Sequence, residues 1–187
     1  MTLFQLLMLG ASAFFAFKIY QHIQTLKDPQ GGERFEDPAD IDLLIAAGDE
    51  EMQKGDFQKA LAIYSEADYK VPNNAEVLFK IGYALIEQER YDEAVDSFKA
   101  ILRLDDNNPA VYQALASVYR KMGQFEDAKY NLDAALLIND KNPITYYNYG
   151  NLLVDMDNDE DAKEMYAKAI ELDPDFKEAK EELEKLA

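Results

Sequence analysis

The densest group of potential metal ligands in the sequence is the acidic run DMDNDED, from Asp155 to Asp161. Carboxylates at this spacing are the ligands of a calcium-binding EF-hand loop, but such a loop also needs glycine at its sixth position and glutamate at its twelfth. Counted from Asp155, those positions hold Glu160 and Tyr166. We therefore interpret the run as a solvated acidic turn, and we predict no metal site and no cofactor.

The residue types that most catalytic sites need are scarce. The chain has no cysteine, which excludes disulfides, thiolate metal sites and a cysteine nucleophile. Its single histidine, His22, cannot form a His-based triad or an HExxH zinc site by itself. An enzyme could still be built from aspartate and glutamate, but no paired carboxylates converge in the groove predicted below. We predict a protein that is not an enzyme and has no small-molecule substrate.

The net charge limits the class of partner. Acidic residues outnumber basic ones 37 to 19, and the formal net charge is −18. A surface of this sign repels the phosphate backbone of nucleic acids and attracts neutral or basic surfaces. We predict a protein or peptide partner with a neutral to basic segment, and no nucleic acid.

After residue 40, small and large residues recur at an interval of 34. Each of four units has a small residue in its first half, and in its second half an alanine followed four positions later by a large apolar residue. The small residues are Gly48, Gly82, Ala116 and Gly150, the alanines are Ala60, Ala94, Ala128 and Ala162, and the large residues are Tyr64, Phe98, Leu132 and Tyr166. Apolar residues fall at helical spacing in two runs per unit, so the pattern predicts two helices whose backbones approach closely at the small residues. The Asn-Pro pairs at 108–109 and 142–143 are typical of a helix start and mark where two of the units begin.

The pattern resembles the tetratricopeptide repeat (TPR), a helix-turn-helix unit of 34 residues. The likeness is plainest in YALIEQERYDEAVDSFKAILRLD (83–105) and GNLLVDMDNDEDAKEMYAKAIELDP (150–174), and departures are Glu51 and Asp159, where the family usually has aromatic residues. The resemblance implies an all-α fold, a right-handed superhelix of four TPR helix-turn-helix repeats followed by a C-terminal capping helix. The predicted boundaries are 41–74, 75–108, 109–142 and 143–174 for the repeats and 175–187 for the capping helix.

Stacked helical hairpins curve, and their first helices line the concave side. The inward face of each first helix, read at helical spacing, gives an apolar and aromatic strip in an otherwise charged chain. We predict that a peptide or helix binds in this groove. The predicted lining residues are Ile45, Phe79, Tyr83, Ile86, Arg120, Tyr147, Asn148 and Asn151. Alternatively, these side chains shield one another between hairpins, or the preceding linker folds over them.

A subset of the family clamps the terminal carboxylate of chaperone tails with lysine, asparagine and arginine on the inner face. Here only Lys80 and Arg120 are placed for this role, and Asp49 and Glu76 would repel such a ligand. We do not expect an acidic tail as the partner.

The N-terminal segment is strongly apolar. Residues 2–17, TLFQLLMLGASAFFAF, carry no charge, and extended to Tyr20 the run makes about 28 Å of helix, close to the roughly 30 Å of a bilayer core. A cleaved signal peptide or a buried core helix are the alternatives, and the absence of a basic residue before the run disfavours the signal peptide. We predict a transmembrane anchor at 1–27 and a linker at 28–40. Lys18 and Lys27 follow the span, which places the repeats in the cytoplasm (N-out/C-in) by the positive-inside rule.

Together these features predict a single-pass membrane protein whose repeats form a non-catalytic scaffold or adaptor that holds a protein partner near the membrane. The alternative function is an envelope or periplasmic assembly factor, or a co-chaperone-like protein, with the repeats on the non-cytoplasmic side.

Overall fold

The computed structural model describes residues 38–186. Within that range the chain is all-helical, with nine α-helices arranged as a superhelix of hairpins and no strand. The helices are α1 Pro38–Lys54, α2 Phe57–Lys70, α3 Ala75–Glu87, α4 Tyr91–Leu104, α5 Pro109–Lys121, α6 Phe125–Ile138, α7 Pro143–Asp155, α8 Asp159–Leu172 and α9 Lys177–Lys185. The odd-numbered helices up to α7 are the first helices of the four hairpins, and α2, α4, α6 and α8 are the second.

Asparagine caps start three of the first helices. The side chain of Asn74 accepts hydrogen bonds from the backbone N–H groups of Glu76 and Val77, and Asn108 and Asn142 cap α5 and α7 in the same way. Both of the latter are followed by proline in the first helical turn. Proline is favoured there because the backbone N–H that it lacks would have no partner inside the helix. The Asn-Pro pairs of the sequence are therefore helix starts.

The two helices of a hairpin meet where a small residue faces a large side chain. An added Cβ at Gly82 would lie 2.5 Å from the Cζ of Phe98, and the glycines at 48 and 150 are covered by Tyr64 and Tyr166 in the same way. These three rings are almost completely buried. The glycines allow the backbone of the first helix to lie directly against an aromatic ring of the second.

Neighbouring hairpins pack against each other through one recurring position, which is the third residue of α3, α5, α7 and α9. Val77, Val111, Thr145 and Ala179 occupy this position in α3, α5, α7 and α9, and each is fully buried. The equivalent residue of α1, Leu43, is 68% exposed, because within the described residues no hairpin precedes it. At the other end, Leu183 and Leu186 of the C-terminal segment pack against the cluster that contains Leu153, Ala162 and Tyr166.

The prediction of a single-pass membrane protein with a cytoplasmic repeat domain is corrected. In the part of the chain that the structure describes, no helix has the length and apolar character needed to cross a bilayer. The longest, α1, has 17 residues, whereas a span needs roughly 20 apolar ones. The predicted anchor at 1–27, and the linker up to residue 37, lie outside the described residues. Membrane attachment is therefore not part of the function proposed below.

Candidate partner-binding groove

An ion pair joins α1 and α3. The Lys80 Nζ lies 2.8 Å from both carboxylate oxygens of Asp49, and the Tyr64 hydroxyl donates a hydrogen bond to the same carboxylate at 2.5 Å. Burial raises the pKa of the Asp49 carboxyl, but the hydrogen bonds from Lys80 and Tyr64 outweigh it and hold the pKa below its ordinary value. Asp49 is thus ionised at neutral pH, and its charge neutralises that of Lys80.

A second ion pair joins α5 and α7. The guanidinium of Arg120 lies 3.0 Å from the Asp155 carboxylate and also donates to the backbone carbonyl of Asn151 at 3.4 Å. The side-chain oxygen of Asn151 accepts a hydrogen bond from the Tyr166 hydroxyl at 2.7 Å. Arg120 and Asn151, both predicted groove residues, are therefore brought together, and each already has a partner.

Aromatic side chains occupy the middle of the first helices. The ring centroids of Phe79 and Tyr83 are 5.0 Å apart, and both rings meet Phe98 edge-on from 5.5 and 5.9 Å. Phe98 is buried and Phe79 half-buried, but 42% of Tyr83 is exposed. Burial of the other part of the ring raises the pKa of Tyr83. The Tyr83 side chain thus packs against Phe79 and Phe98 on one side and is exposed to solvent on the other.

Tyr147 is covered by the end of the chain. Its ring lies 5.9 Å from Tyr166 and 5.1 Å from Phe176, which immediately precedes α9. The C-terminal segment therefore packs over the residue that the sequence placed at the end of the groove.

Ile45 and Ile86 do not line an open surface. They are 8% and 7% exposed, and they belong to apolar clusters between the hairpins. Each lies one helical turn from a residue of the predicted concave face, Asp49 for Ile45 and Tyr83 for Ile86. Because neighbouring hairpins cross at an angle, Ile45 and Ile86 lie in the junction between hairpins. The prediction that these two residues line an open groove is corrected accordingly, because both are buried.

Within the described residues, cavities open between the first helices. A small polar one between α5 and α7 is lined by Ser117, Arg120 and Asn148 among others. The Asn148 side chain makes no hydrogen bond within the described residues, so its amide is available to a ligand. A larger, mainly apolar cavity of about 230 Å³ lies between α3 and α5 and includes Phe79.

Three residues of this surface were not predicted from the sequence, namely Ala110, Asp155 and Phe176. One signal could have found Asp155. Ion pairs between neighbouring first helices join residues about one repeat length apart, 31 for Asp49 and Lys80 and 35 for Arg120 and Asp155. A pair of opposite charges at a separation near the repeat length therefore indicates an ion pair across two hairpins.

The acidic run lies around the turn between α7 and α8. Within residues 38–186, no group of three or more histidine, cysteine, aspartate or glutamate side chains could hold a metal ion. Part of the run forms the turn between α7 and α8, in which Asp157 has a left-handed backbone with φ of 58°.

Comparison with solved structures gives many matches. The crystal structure of MamA is 28% identical, with 74% of this chain and 81% of that chain covered and a TM-score of 0.62. The first TPR of Spaghetti (RPAP3), solved bound to the HSP90 peptide SRMEEVD, is 30% identical over 60% of this chain and 89% of that one, with a TM-score of 0.56. The thermophilic TPR protein TTC0263 of Thermus thermophilus shares the fold, with a TM-score of 0.69 at 18% identity over 78% and 80% of the two chains.

No curated protein matches the chain. The family model described as tetratricopeptide repeat matches residues 51–118 and again residues 119–186. With the hairpins, the glycine-aromatic contacts and the helix caps already seen in the structure, this match over more than half of the sequence shows that the chain belongs to the tetratricopeptide repeat family.

Proposed function

We propose that this protein is a non-catalytic scaffold that holds a neutral to basic segment of a protein partner on the concave face of its repeats. The observation that carries the proposal is the exposed ring of Tyr83, at 42%, on the inner face of α3. Aromatic side chains that are fixed on one side and open on the other are enriched at protein interfaces, where they add contact area at little cost in conformational entropy.

The charges of the groove support a basic partner. The two basic side chains that are placed to bind an acidic ligand already form ion pairs, Lys80 with Asp49 and Arg120 with Asp155. Glu76 and Glu87 on α3 are exposed and have no ion pair within the described residues. An approaching carboxylate would have to displace Asp49 or Asp155, whereas a lysine or arginine meets unpaired negative charge. For this reason we do not transfer the acidic peptide bound by RPAP3 to this chain.

Hydrogen bonds to the partner come from the polar cavity. The unpaired amide of Asn148 can donate to a backbone carbonyl and accept from a backbone N–H of an extended peptide. Ser117 lies in the same cavity and offers a hydroxyl. This end of the groove therefore fits main-chain atoms, while Tyr83 fits a side chain.

Affinity capture with the full chain tests the proposal. Tyr83→Ala is compared with Tyr69→Ala, because Tyr69 is an even more exposed tyrosine, at 86%, on the second helix of the first repeat. We expect one set of captured proteins, quantified by mass spectrometry, to fall at least tenfold with Tyr83→Ala and to stay unchanged with Tyr69→Ala. Circular dichroism melting of both variants checks that the fold is intact. Equal capture by the wild type and Tyr83→Ala would refute the groove as the binding site.

A further inference from the structure

The apolar cavity between α3 and α5 is the most distinctive feature of the concave side. It has a volume of about 230 Å³ and lies between the first turns of these two helices. Its lining includes Phe79 and Glu76 from α3, Ile101 from α4, and Ala110 and Val111 from α5. The volume is smaller than the roughly 300–1,000 Å³ of pockets for whole small molecules. It fits a single side chain.

The cavity exists because of the residues found at this junction. Ala110 occupies the second position of its repeat, where the second repeat has Glu76 and the fourth has Ile144. At the next junction, the side-chain amide of Gln113 donates a hydrogen bond to the hydroxyl of Thr145. Those two polar side chains stand where the junction of α3 and α5 has the apolar Phe79 and Val111. The small methyl of Ala110 therefore leaves an opening, which the larger side chain of Ile144 would narrow.

The rim of the cavity is negatively charged. Glu76 is exposed at its edge and has no ion pair within the described residues. Asp105 and Asp106 precede the capping residue Asn108, which also lines the cavity, and only Arg103 opposes them in this stretch of the chain. Lys80, one turn along α3, is neutralised by Asp49. When an apolar side chain of a partner enters the cavity, the residues on either side of it lie in a negative electrostatic potential.

We propose that this cavity binds one large apolar side chain, leucine, methionine or phenylalanine, from a partner segment in which lysine or arginine stands on either side of it. This inference rests on the proposed function and names the part of the partner that is recognised. A buried apolar anchor ringed by polar contacts is the arrangement that concentrates binding energy at protein interfaces. The adjoining ring of Tyr83, 5.0 Å from Phe79, extends the apolar surface, and its face can receive a flanking cation.

Synthetic peptides test the chemistry. The isotope-labelled full chain is titrated, by NMR, with Gly-Ser-Lys-Leu-Lys-Ser-Gly and with two relatives that carry Glu-Leu-Glu or Lys-Ala-Lys at the centre. We expect the Lys-Leu-Lys peptide to shift the methyl signals of Ala75, Ala110 and Ile101, and the other two to bind at least tenfold more weakly. Equal binding of all three peptides, or no shift of these methyls at millimolar peptide, would overturn the inference.

Filling the cavity provides the matched variant. Ala110→Ile introduces the side chain found at the equivalent position 144, and Ala62→Ile makes the same change at an exposed position of α2. We expect Ala110→Ile to lose the peptide-induced shifts at Ala75 and Ile101, and Ala62→Ile to keep them. If Ala110→Ile melts at a much lower temperature than the wild type, Ala75→Leu, at the exposed start of α3, fills the same cavity.

The two proposals fail in different ways. Capture that depends on Tyr83 but is unchanged by Ala110→Ile and Ala75→Leu would leave the groove as the binding site and refute the cavity as an anchor site. Capture that is insensitive to Tyr83→Ala, together with peptide shifts at the cavity, would refute the wider groove and leave the cavity in place.

Discussion

The Tyr166 hydroxyl donates a hydrogen bond to the side chain of Asn151 at 2.7 Å, and so fixes a groove residue from the second helix of its own repeat. Three repeats earlier, Tyr64 makes the same bond to Asp49 at 2.5 Å. The second repeat has Phe98 at this position, which has no hydroxyl, and its groove residue is the exposed Tyr83. In the first and fourth repeats the second helix is therefore hydrogen-bonded to this position of the first helix, and in the second repeat it is not.

The value of this bond can be measured with Tyr166→Phe. The ring stays in place over Gly150 and only the hydroxyl is lost, so we expect the free energy of unfolding to fall by about 1 kcal/mol. Urea denaturation followed by circular dichroism gives this quantity. Tyr130→Phe is the control, because Tyr130 is 71% exposed and should change by less than about 0.5 kcal/mol. Equal effects of the two substitutions would show that the Tyr166–Asn151 bond contributes nothing.

The contact between Gly82 and Phe98 predicts a destabilised variant and its rescue. An added Cβ at position 82 would lie 2.5 Å from the Phe98 ring, which is fully buried and cannot move aside. Gly82→Ala should therefore lower the free energy of unfolding by about 1–3 kcal/mol through overpacking.

The third repeat suggests a substitution that should restore stability. It has Ala116 where the second repeat has Gly82, and Leu132 where the second repeat has Phe98. We expect Phe98→Leu to be less harmful in the Gly82→Ala background than in the wild type, and the coupling to appear in a double-mutant cycle of urea denaturation. Strict additivity of the two substitutions would contradict the steric explanation.

Much of this fold follows from the sequence because the contacts within a hairpin recur in fixed columns. The glycine at 82 and the ring at 98 are 16 residues apart, and the same pairing of a small with a large residue is visible three more times in the printed sequence. A helix cap such as Asn108 depends only on its neighbours and is just as readable.

The groove is harder to predict because its composition depends on how neighbouring hairpins are rotated. Ile45 and Phe79 occupy the same position of successive repeats on the predicted inner face, yet Ile45 is only 8% exposed and Phe79 is half-buried. No periodicity distinguishes these two outcomes, since a small change in crossing angle moves a side chain from the surface to the junction. Phe176, which covers Tyr147, stands where the repeats have the capping residues Asn108 and Asn142, so they give no sign of its aromatic contact.

The ion pair of Asp49 with Lys80 predicts a dependence on pH. Since the folded state holds the pKa of Asp49 below its ordinary value of 3.8, the carboxylate stabilises the fold above that pH, and its contribution is lost as the pH falls through the lowered pKa. Asp49→Asn should therefore reduce the free energy of unfolding at pH 7, and the difference from the wild type should shrink below pH 3.8. The Asp49 side chain is 39% exposed, so the effect should stay below about 1 kcal/mol.

Denaturation in urea at a series of pH values gives this difference, and the same series in a Lys80→Met background is the control. Without Lys80, Asp49→Asn should cost less and depend less on pH. A cost that is constant from pH 7 to pH 3 would refute the ion pair as its origin.

Because one carboxylate oxygen of Asp68 is buried without a partner in the described part of the chain, we predict that replacing Asp68 by leucine gives a variant that is more stable than the wild type. Its Oδ1 atom is buried and has no hydrogen-bond partner within the described residues, although it occupies the position at which the later repeats have Leu102, Leu136 and Ile170. A buried polar atom without a partner costs about 1–3 kcal/mol, and an apolar side chain there gains burial instead. Asp68→Leu should therefore raise the free energy of unfolding by about 1 kcal/mol or more, measured by urea denaturation. Asp96 of α4, which is exposed and has no ion pair within the described residues, provides the control, because Asp96→Leu removes the same charge without relieving a buried atom. If both substitutions stabilise equally, the gain comes from reduced negative charge, and the unpaired oxygen of Asp68 is not its cause.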